Sequence, residues 1–468
     1  MPGLPSVRFP LGYLLFLCGV ATLAGFLFGF DSAVINGTVT ALSAAFGTSA
    51  AATGLAVSSV LFGSVAGSLL AGRYADRFGR KPVMLATALL FAVSAWGSGA
   101  AGSAATFILY RLIGGLGVGA ACVVAPAYIA EISPAALRGR FTTIQQLAIV
   151  AGLQCAFLSN FFIARAAGQA GHAWLLGVPA WRWMFWVQLL PSAGYLLASL
   201  LLPESPRYLV ARRREDEARA VMRRLWGDSA DPEAMLSEIR ATVDQQARPH
   251  FRDVCVPGTR RLLPIVWVAV GLGFFQQASG INAVFYFGEY LWRAAGFTEQ
   301  HALLINITLG AVLIGATLVS MTLVDRVGRR PLLLAGGGAM AVMLGVLATV
   351  FLLSARGANG ALAMSSVQAT ATLVAEHIYI FCFGASWGPV IWVLYGEMFP
   401  NRIRGSAIAV AAGTLWVTNC AVTTTFPILL KLLGLGGVFC IYASAALASL
   451  WTVQRYLPET KGRTLEVM

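Results

Sequence analysis

The 468-residue sequence predicts an all-α membrane protein: twelve transmembrane helices in two pseudo-symmetric six-helix bundles, joined by a cytoplasmic helical linker. Three observations predict it. Hydrophobic residues make up 58% and charged residues 11%, where a soluble domain carries about 25% charged, so lipid must solvate most of the surface. Apolar runs long enough to cross a bilayer recur along the whole chain. Short charged motifs repeat between its two halves.

A helix needs about 20 mostly apolar residues to cross the hydrocarbon core. Six such runs lie near 11–35, 52–72, 83–103, 105–130, 141–166 and 181–203. Six more lie near 262–292, 300–324, 331–354, 366–398, 405–430 and 434–457. The first follows Arg8 like a signal peptide, but it continues to Ile35 with no clear small-residue cleavage site before Asp31, and it reads as a span. The expected organisation is a first bundle over 1–203, a linker over 204–261, a second bundle over 262–457 and a short cytoplasmic tail over 458–468. The linker is the one long polar stretch. It opens its charged run at Arg212 to Glu217 and continues with a helical pattern through Met222, Leu225, Met235 and Ile239, which suggests short amphipathic helices on a membrane surface.

The formal net charge is +13, which points either to nucleic acid or to cytoplasmic loops, and distribution separates the two. Placing both termini and the linker on one side collects 27 of the 33 Lys and Arg there, leaving Arg111, Arg165, Arg182, Arg293, Arg356 and Lys431. Excess Lys and Arg marks the cytoplasmic side, so both termini are expected there, in a plasma membrane of bacterial inner-membrane type. Nucleic acid is not expected as a partner, because the linker balances twelve basic residues with ten acidic ones. The seven Cys are scattered without a CxxC and suggest neither a disulfide framework nor a metal site.

The halves repeat. Asp76, Arg77, Gly79, Arg80, Lys81 and Pro82 follow the second run, and Asp325, Arg326, Gly328, Arg329, Arg330 and Pro331 follow the eighth, 249 residues later. Glu131 and Arg138 close the fourth run with the spacing of Glu397 and Arg404 at the tenth, an offset of 266. Pro203-Glu204-Ser205-Pro206-Arg207 ends the sixth run and Pro458-Glu459-Thr460-Lys461-Gly462 the twelfth, an offset of 255. Duplicated six-helix halves are a transporter architecture, with substrate bound between them near the midplane.

These motifs, together with Gln276-Gln277-Ala278-Ser279-Gly280-Ile281-Asn282 and Trp387-Gly388-Pro389, resemble the sugar porter family of the major facilitator superfamily from Phe28 to Gly462. The pattern is most similar to bacterial proton-coupled pentose and hexose symporters. The resemblance implies alternating access, a monosaccharide as substrate and a proton as coupling ion. A monomer embedded in lipid is expected, with no cofactor and no enzymatic activity. Gly115, Gly117 and Gly119 superficially look like a nucleotide-binding motif, but they lie inside a span without a preceding strand or a Walker lysine.

An acid inside a span is costly enough to be a functional hypothesis. Asp31 in the first run and Arg111 in the fourth lie at similar depth, and in the resembling symporters the matching pair carries the proton. The competing reading is a carboxylate at a helix end that simply reaches water. The resemblance assigns the sugar site to Phe28, Gln146, Gln276, Gln277, Asn282, Tyr286, Gly388, Trp392 and Trp416. Helix–helix hydrogen bonding is the competing reading for the amides, and packing for the tryptophans. Leu153, Leu313 and Leu415 stand where relatives carry amides, which implies a more apolar pocket, and Gln188 replaces a Glu of the sixth span. For Glu376, with His377, contact with an arginine or with substrate and a local structural role all stay open.

Asp76, Arg77, Arg80, Glu131, Arg138 and Glu204, with Asp325, Arg329, Arg330, Glu397, Arg404 and Glu459, are expected to form a cytoplasmic latch of ion pairs, although positive-inside anchoring explains some of the arginines. The leading function is proton-coupled symport of a monosaccharide. A facilitative sugar or polyol uniporter is the alternative, and a transporter-like sugar sensor ranks lower because little chain follows the last span.

Overall fold

The computed structural model describes residues 11–227, 233, 235–237, 239–240, 254–256, 259, 261–356, 362–400 and 403–459, without the side chains of 135–140, 142–143 and 325. Among these residues, ten helices are long and apolar enough to cross a membrane. The longest, Arg404–Tyr456, holds two spans joined at Gly434, where φ is +68°. The sixth span is split into Ala180–Trp186 and Leu189–Leu200. Counting both cases gives the twelve spans that the sequence predicts. A two-stranded antiparallel pairing of Ala355–Arg356 with Leu362–Ala363 lies between the ninth and tenth spans.

Local sequence sets several helix ends. Ser103 and Thr106 form a reciprocal capping box at the start of the fourth span, Ala104–Ile132, and Ser365 and Gln368 do the same for the tenth, Ser366–Ala385. Gly79 and Gly328 precede the third and ninth spans, Arg80–Ala100 and Arg329–Leu353, at φ of +103° and +105°. A side chain is strained at that φ, so the repeated glycine is a backbone requirement.

The chain divides into two compact units. One comprises Met1–Ser32, Phe62–Ala156 and Arg182–Arg248, the other Ala33–Leu61, Phe157–Trp181 and Pro249–Met468. The boundaries fall inside the first, second and fifth spans, at the start of the sixth, and within the linker. Bonding within the second unit explains this. Asn36 reaches the seventh span, Asn160 donates to the Val34 carbonyl at 3.0 Å, and Thr424 donates to Ser58 at 2.7 Å.

In the first unit, the first and fifth spans meet backbone to backbone. A Cβ on Gly29 would lie 1.8 Å from the Ile149 carbonyl oxygen, and one on Gly152 would lie 1.9 Å from that of Phe26. The second and fourth spans touch in the same way, Gly119 facing the Ser64 carbonyl. In lipid, such close small-residue packing and polar pairs replace the hydrophobic effect as the force between helices.

The linker contributes Pro206–Ala211 and Glu215–Trp226. The second of these is amphipathic, with Ala218, Met222, Leu225 and Trp226 buried and Glu215, Asp216 and Glu217 in its first turn. Met235 and Ile239 lie on the few described residues that follow.

Candidate functional site

Asp31 and Arg111 come together in the first unit, both with no exposed surface. Arg111 Nη1 donates to Asp31 Oδ1 at 2.9 Å, and Nη2 donates to the Asp31 backbone carbonyl at 3.0 Å. The guanidinium lies 5.7 Å over the Phe185 ring, which favours the cation further. Gln188 Nε2 also donates to Asp31 Oδ1, at 3.1 Å. The residue that stands in place of a family acid is thus a member of the site. Among the described residues, nothing hydrogen-bonds Asp31 Oδ2 or Arg111 Nε. The competing reading, a carboxylate reaching water at a helix end, does not fit a side chain with no exposure.

The second unit holds the amide cluster. The seventh span breaks between Pro264–Ala278 and Ile281–Ala294. Gly280 occupies the break at φ +84°, pressed against the Tyr442 ring. Gln276 Nε2 donates to the carbonyls of Trp387 and Gly388, at 2.8 and 3.2 Å. Those two residues adjoin a second break, at Ser386, between the two helical pieces of the tenth span. Gln277 donates to Gln276 Oε1 at 3.4 Å, and Asn282 donates to Gln277 Oε1. The three amides therefore form one chain that leads from one broken span to the other. Tyr286 is buried on the same helix as Asn282.

The remaining expected sugar residues are more dispersed. Trp392 is 46% exposed and meets the Tyr395 ring edge-on. Trp416 is half-buried on the eleventh span. In the first unit, Phe28 is half-buried and Gln146 is exposed. Two of the three substituted leucines fill the space between helices. Leu313 packs against Gly384, and Leu415 against Gly273.

The charged repeat is duplicated in three dimensions, each copy within its own unit. Arg80 Nη2 pairs with Glu131 at 2.9 Å, and Nη1 lies 3.3 Å from Asp76. Arg329 grips Glu397 with two nitrogens, at 2.7 and 3.0 Å. Glu204 accepts from the backbone N–H groups of Arg80 and Lys81, at 2.8 and 3.3 Å, and Glu459 accepts from those of Arg329 and Arg330, at 3.1 and 3.0 Å. Each glutamate thus sits on a helix N-terminus, where anions are favoured.

Among the described residues three arginines depart from the expected ion pairing, Arg330 donating its side chain to the Gln454 carbonyl at 2.8 Å. Arg77 lies over the adjacent Phe78 ring at 5.1 Å. Arg404 turns back to the Phe399 carbonyl, at 3.3 and 3.2 Å. The Arg138 and Asp325 side chains lie outside the described residues.

A second polar cluster was missed by sequence reasoning. Asn36 Nδ2 donates to the Phe285 carbonyl at 2.7 Å, and its Oδ1 accepts from the Glu289 N–H at 3.1 Å and from Asn306 Nδ2 at 2.7 Å. Thr40 donates to Glu289 Oε2 at 2.7 Å, and Arg293 lies 3.4 Å from Oε1. Phe285 and Glu289 are four residues apart, the spacing of a helical hydrogen bond. Phe287 between them is non-helical at φ −114°. The Asn36 amide therefore inserts into the backbone ladder where the helix bends. An acid at Glu289 inside the seventh run was the available signal.

Residues 17–468 match the profile of the family described as "Sugar (and other) transporter". The chain is 48% identical over 459 residues to a glucose transport protein of Synechocystis sp., covering 97% of each. It is 34% identical to the D-xylose-proton symporter of Escherichia coli K12, covering 98% of this chain and 96% of the relative. It is 36% identical to the major myo-inositol transporter IolT of Bacillus subtilis, covering 96% and 92%. The inward open conformation of the xylose transporter XylE from E. coli is similar at a TM-score of 0.82 and 32% identity, covering 97% of this chain and 98% of that one. XylE bound to 6-bromo-6-deoxy-D-glucose is similar at 0.75 and 33%, with the same coverage. The twelve spans, the duplicated charge motifs and these matches agree: this multi-pass membrane chain belongs to the sugar transporter family of the major facilitator superfamily.

Proposed function

We propose that this protein is a secondary active transporter that couples inward proton flow to uptake of a monosaccharide, a pentose or hexose, by alternating access. Its place is the bacterial inner membrane, with both termini cytoplasmic, and it works as a monomer whose two sequence halves, 1–203 and 262–457, are the moving bodies. The observation that carries this reading is the fully buried Asp31–Arg111 pair, with one carboxylate oxygen that no described residue hydrogen-bonds.

The chemistry follows from charge balance. The Asp31 anion is compensated by Arg111 and Gln188, all on Oδ1. A proton arriving on Oδ2 displaces no hydrogen bond and neutralises the acid. The guanidinium then keeps its bond to the Asp31 carbonyl but loses its counter-charge, and a buried unpaired charge is costly. Protonation therefore loosens the contact between the first and fourth spans, which is what a coupling ion must do to change the conformational equilibrium. One proton moving down about 100 mV supplies roughly 2.3 kcal/mol, enough for about 50-fold accumulation of a neutral solute.

The sugar site is the set Phe28, Gln146, Gln276, Gln277, Asn282, Tyr286, Gly388, Trp392 and Trp416, in which the amides meet sugar hydroxyls and the aromatic rings meet the apolar C–H face. The neutral amides both donate and accept, as polyols require. The names of the glucose, xylose and inositol relatives support a polyhydroxylated substrate. The alternative is facilitative uniport of a sugar or polyol, and the name of the inositol relative supports only the polyol as a substrate. Asp31→Asn in proteoliposomes decides between them. The symporter reading expects loss of uphill sugar uptake and of sugar-induced external alkalinisation, with sugar exchange retained. Continued accumulation in that variant overturns it.

A further inference from the structure

The tenth span carries a carboxyl group that the Asp31 site does not use. Glu376 has no exposed surface, and among the described residues no group hydrogen-bonds either of its oxygens. An anion with neither donor nor counter-charge is among the costliest groups to bury, and such a group takes up a proton instead.

Its surroundings bear this out element by element. The tenth span packs on the eighth and ninth spans and on Trp387–Glu397. His377, next in sequence, turns away to Thr308 of the eighth span at 2.8 Å and to the Leu373 carbonyl at 2.7 Å. Glu299 and His301 belong to the first turn of the eighth span and Arg326 to its last. Arg329 and Arg330 open the ninth span, where Arg329 is held by Glu397 of the tenth span's second piece and Arg330 bonds the Gln454 carbonyl. Tyr395 donates to the Ala269 carbonyl at 3.0 Å. In the seventh span, Glu289 and Arg293 face each other. Tyr379 lies three residues on from Glu376 and on the same face of the tenth span.

Tyr379 gives the position its interest. Its hydroxyl donates to the Ser279 carbonyl at 3.0 Å, inside the break of the seventh span. Behind that break, Tyr442 packs its ring on Gly280 and keeps a buried hydroxyl without a partner among the described residues. A charge at Glu376 would therefore appear beside the tyrosine that fixes the break next to Gln276 and Gln277.

We propose that Glu376 is a second proton-binding site, in the C-terminal half, whose occupancy holds the seventh-span break in the geometry described here. This rests on the reading of the chain as a sugar carrier, but not on Asp31 being its coupling site. The proton comes from water and returns to water, so no other reactant is needed. Loss of the proton would leave an uncompensated anion beside Tyr379 and unsettle the break.

The test uses the full chain in phosphatidylethanolamine–phosphatidylglycerol proteoliposomes. Equilibrium exchange of radiolabelled D-glucose and D-xylose is measured between about pH 6 and about pH 10 in the Asp31→Asn background, where net proton coupling is removed. Exchange is expected to fall on the alkaline side by about tenfold per pH unit, and Glu376→Gln added to that background is expected to make it flat. Glu376→Met, of similar length and without polar groups, should be flat as well and guards against a folding defect of the amide. Infrared difference spectra of the wild type should show a protonated-carboxyl C=O band at neutral pH that either Glu376 variant removes. Superimposable exchange profiles with and without Glu376, or an unchanged infrared band, overturn the proposal. Uphill uptake by Asp31→Asn would instead overturn the coupling role of Asp31 and leave both readouts interpretable.

Discussion

Replacing Asn36 with alanine tests the inserted amide directly. The side chain makes three buried hydrogen bonds, to the Phe285 carbonyl and from the Glu289 N–H and the Asn306 amide. Each group left unsatisfied costs about 1–3 kcal/mol, which bounds the loss from above. Straightening at Phe287 would let the Glu289 N–H return to the Phe285 carbonyl and recover part of it. The room vacated against Gly288, where a Cβ would lie 2.6 Å from Asn36 Nδ2 and 2.2 Å from Asn306 Oδ1, permits only partial repacking. The net expectation is about 2–3 kcal/mol, or roughly a 30- to 150-fold rise in local opening. Hydrogen–deuterium exchange of the peptide over residues 283–292 reads that opening directly. Asn36→Asp keeps the acceptor and loses the donor to Phe285, so its exchange should fall between wild type and Asn36→Ala. A change below about threefold, under 1 kcal/mol, in Asn36→Ala refutes the idea that this side chain holds the bend.

Two further perturbations test packing and charge. Gly29→Ala places a Cβ 1.8 Å from the Ile149 carbonyl oxygen, whereas Gly12→Ala meets nothing within 4 Å. The first should lower the thermal midpoint by the equivalent of about 1–3 kcal/mol or more, the second hardly at all, and equal shifts would refute close approach of the first and fifth spans. Glu204 lies beyond the sixth span, where burial raises its carboxyl above the ordinary value against the pull of the N–H groups of Ser205, Arg80 and Lys81. The folded state then holds the proton more tightly than the unfolded one, so this contribution is present below the unfolded value and lost as pH rises through the folded one. The thermal midpoint of the wild type should therefore fall relative to Glu204→Gln as pH rises from the carboxylate range toward neutrality, and parallel profiles would refute it.

The spans were legible because a bilayer imposes run length, and the duplication because Asp, Arg and Glu at fixed offsets stand out against apolar sequence. Asp31 and Arg111 could be paired because charges inside spans are few and their depths can be counted. The amides were harder to read. Gln276, Gln277 and Asn282 were identified, but their bonding to the Trp387 and Gly388 carbonyls depends on a break at Ser386 whose residues look helical. Asn36 and Asn306 escaped for the same reason, since nothing in Phe285-Tyr286-Phe287-Gly288 announces the non-helical φ at Phe287. Gln188 reads in the sequence as a lost acid, because sequence shows which group is absent and not which bond the replacement makes. Arg77 and Arg404 illustrate the converse: a charge in the right motif bonds whatever a local bend brings nearest.

The paired glutamates bear on how the chain is made. Glu204 caps the third span from the residue pair just past the sixth, so the first half gains its closing contact as soon as the sixth span and one short segment have left the ribosome. Synthesis proceeds from the N-terminus, and early segments organise first. The second half waits for Glu459, past the twelfth span, before Arg329 and Arg330 are capped. Until then the start of the ninth span carries unsatisfied N–H groups and two adjacent cations. The stage between the ninth and twelfth spans is therefore the vulnerable interval of biogenesis, when an insertion-assisting or quality-control factor has most to recognise.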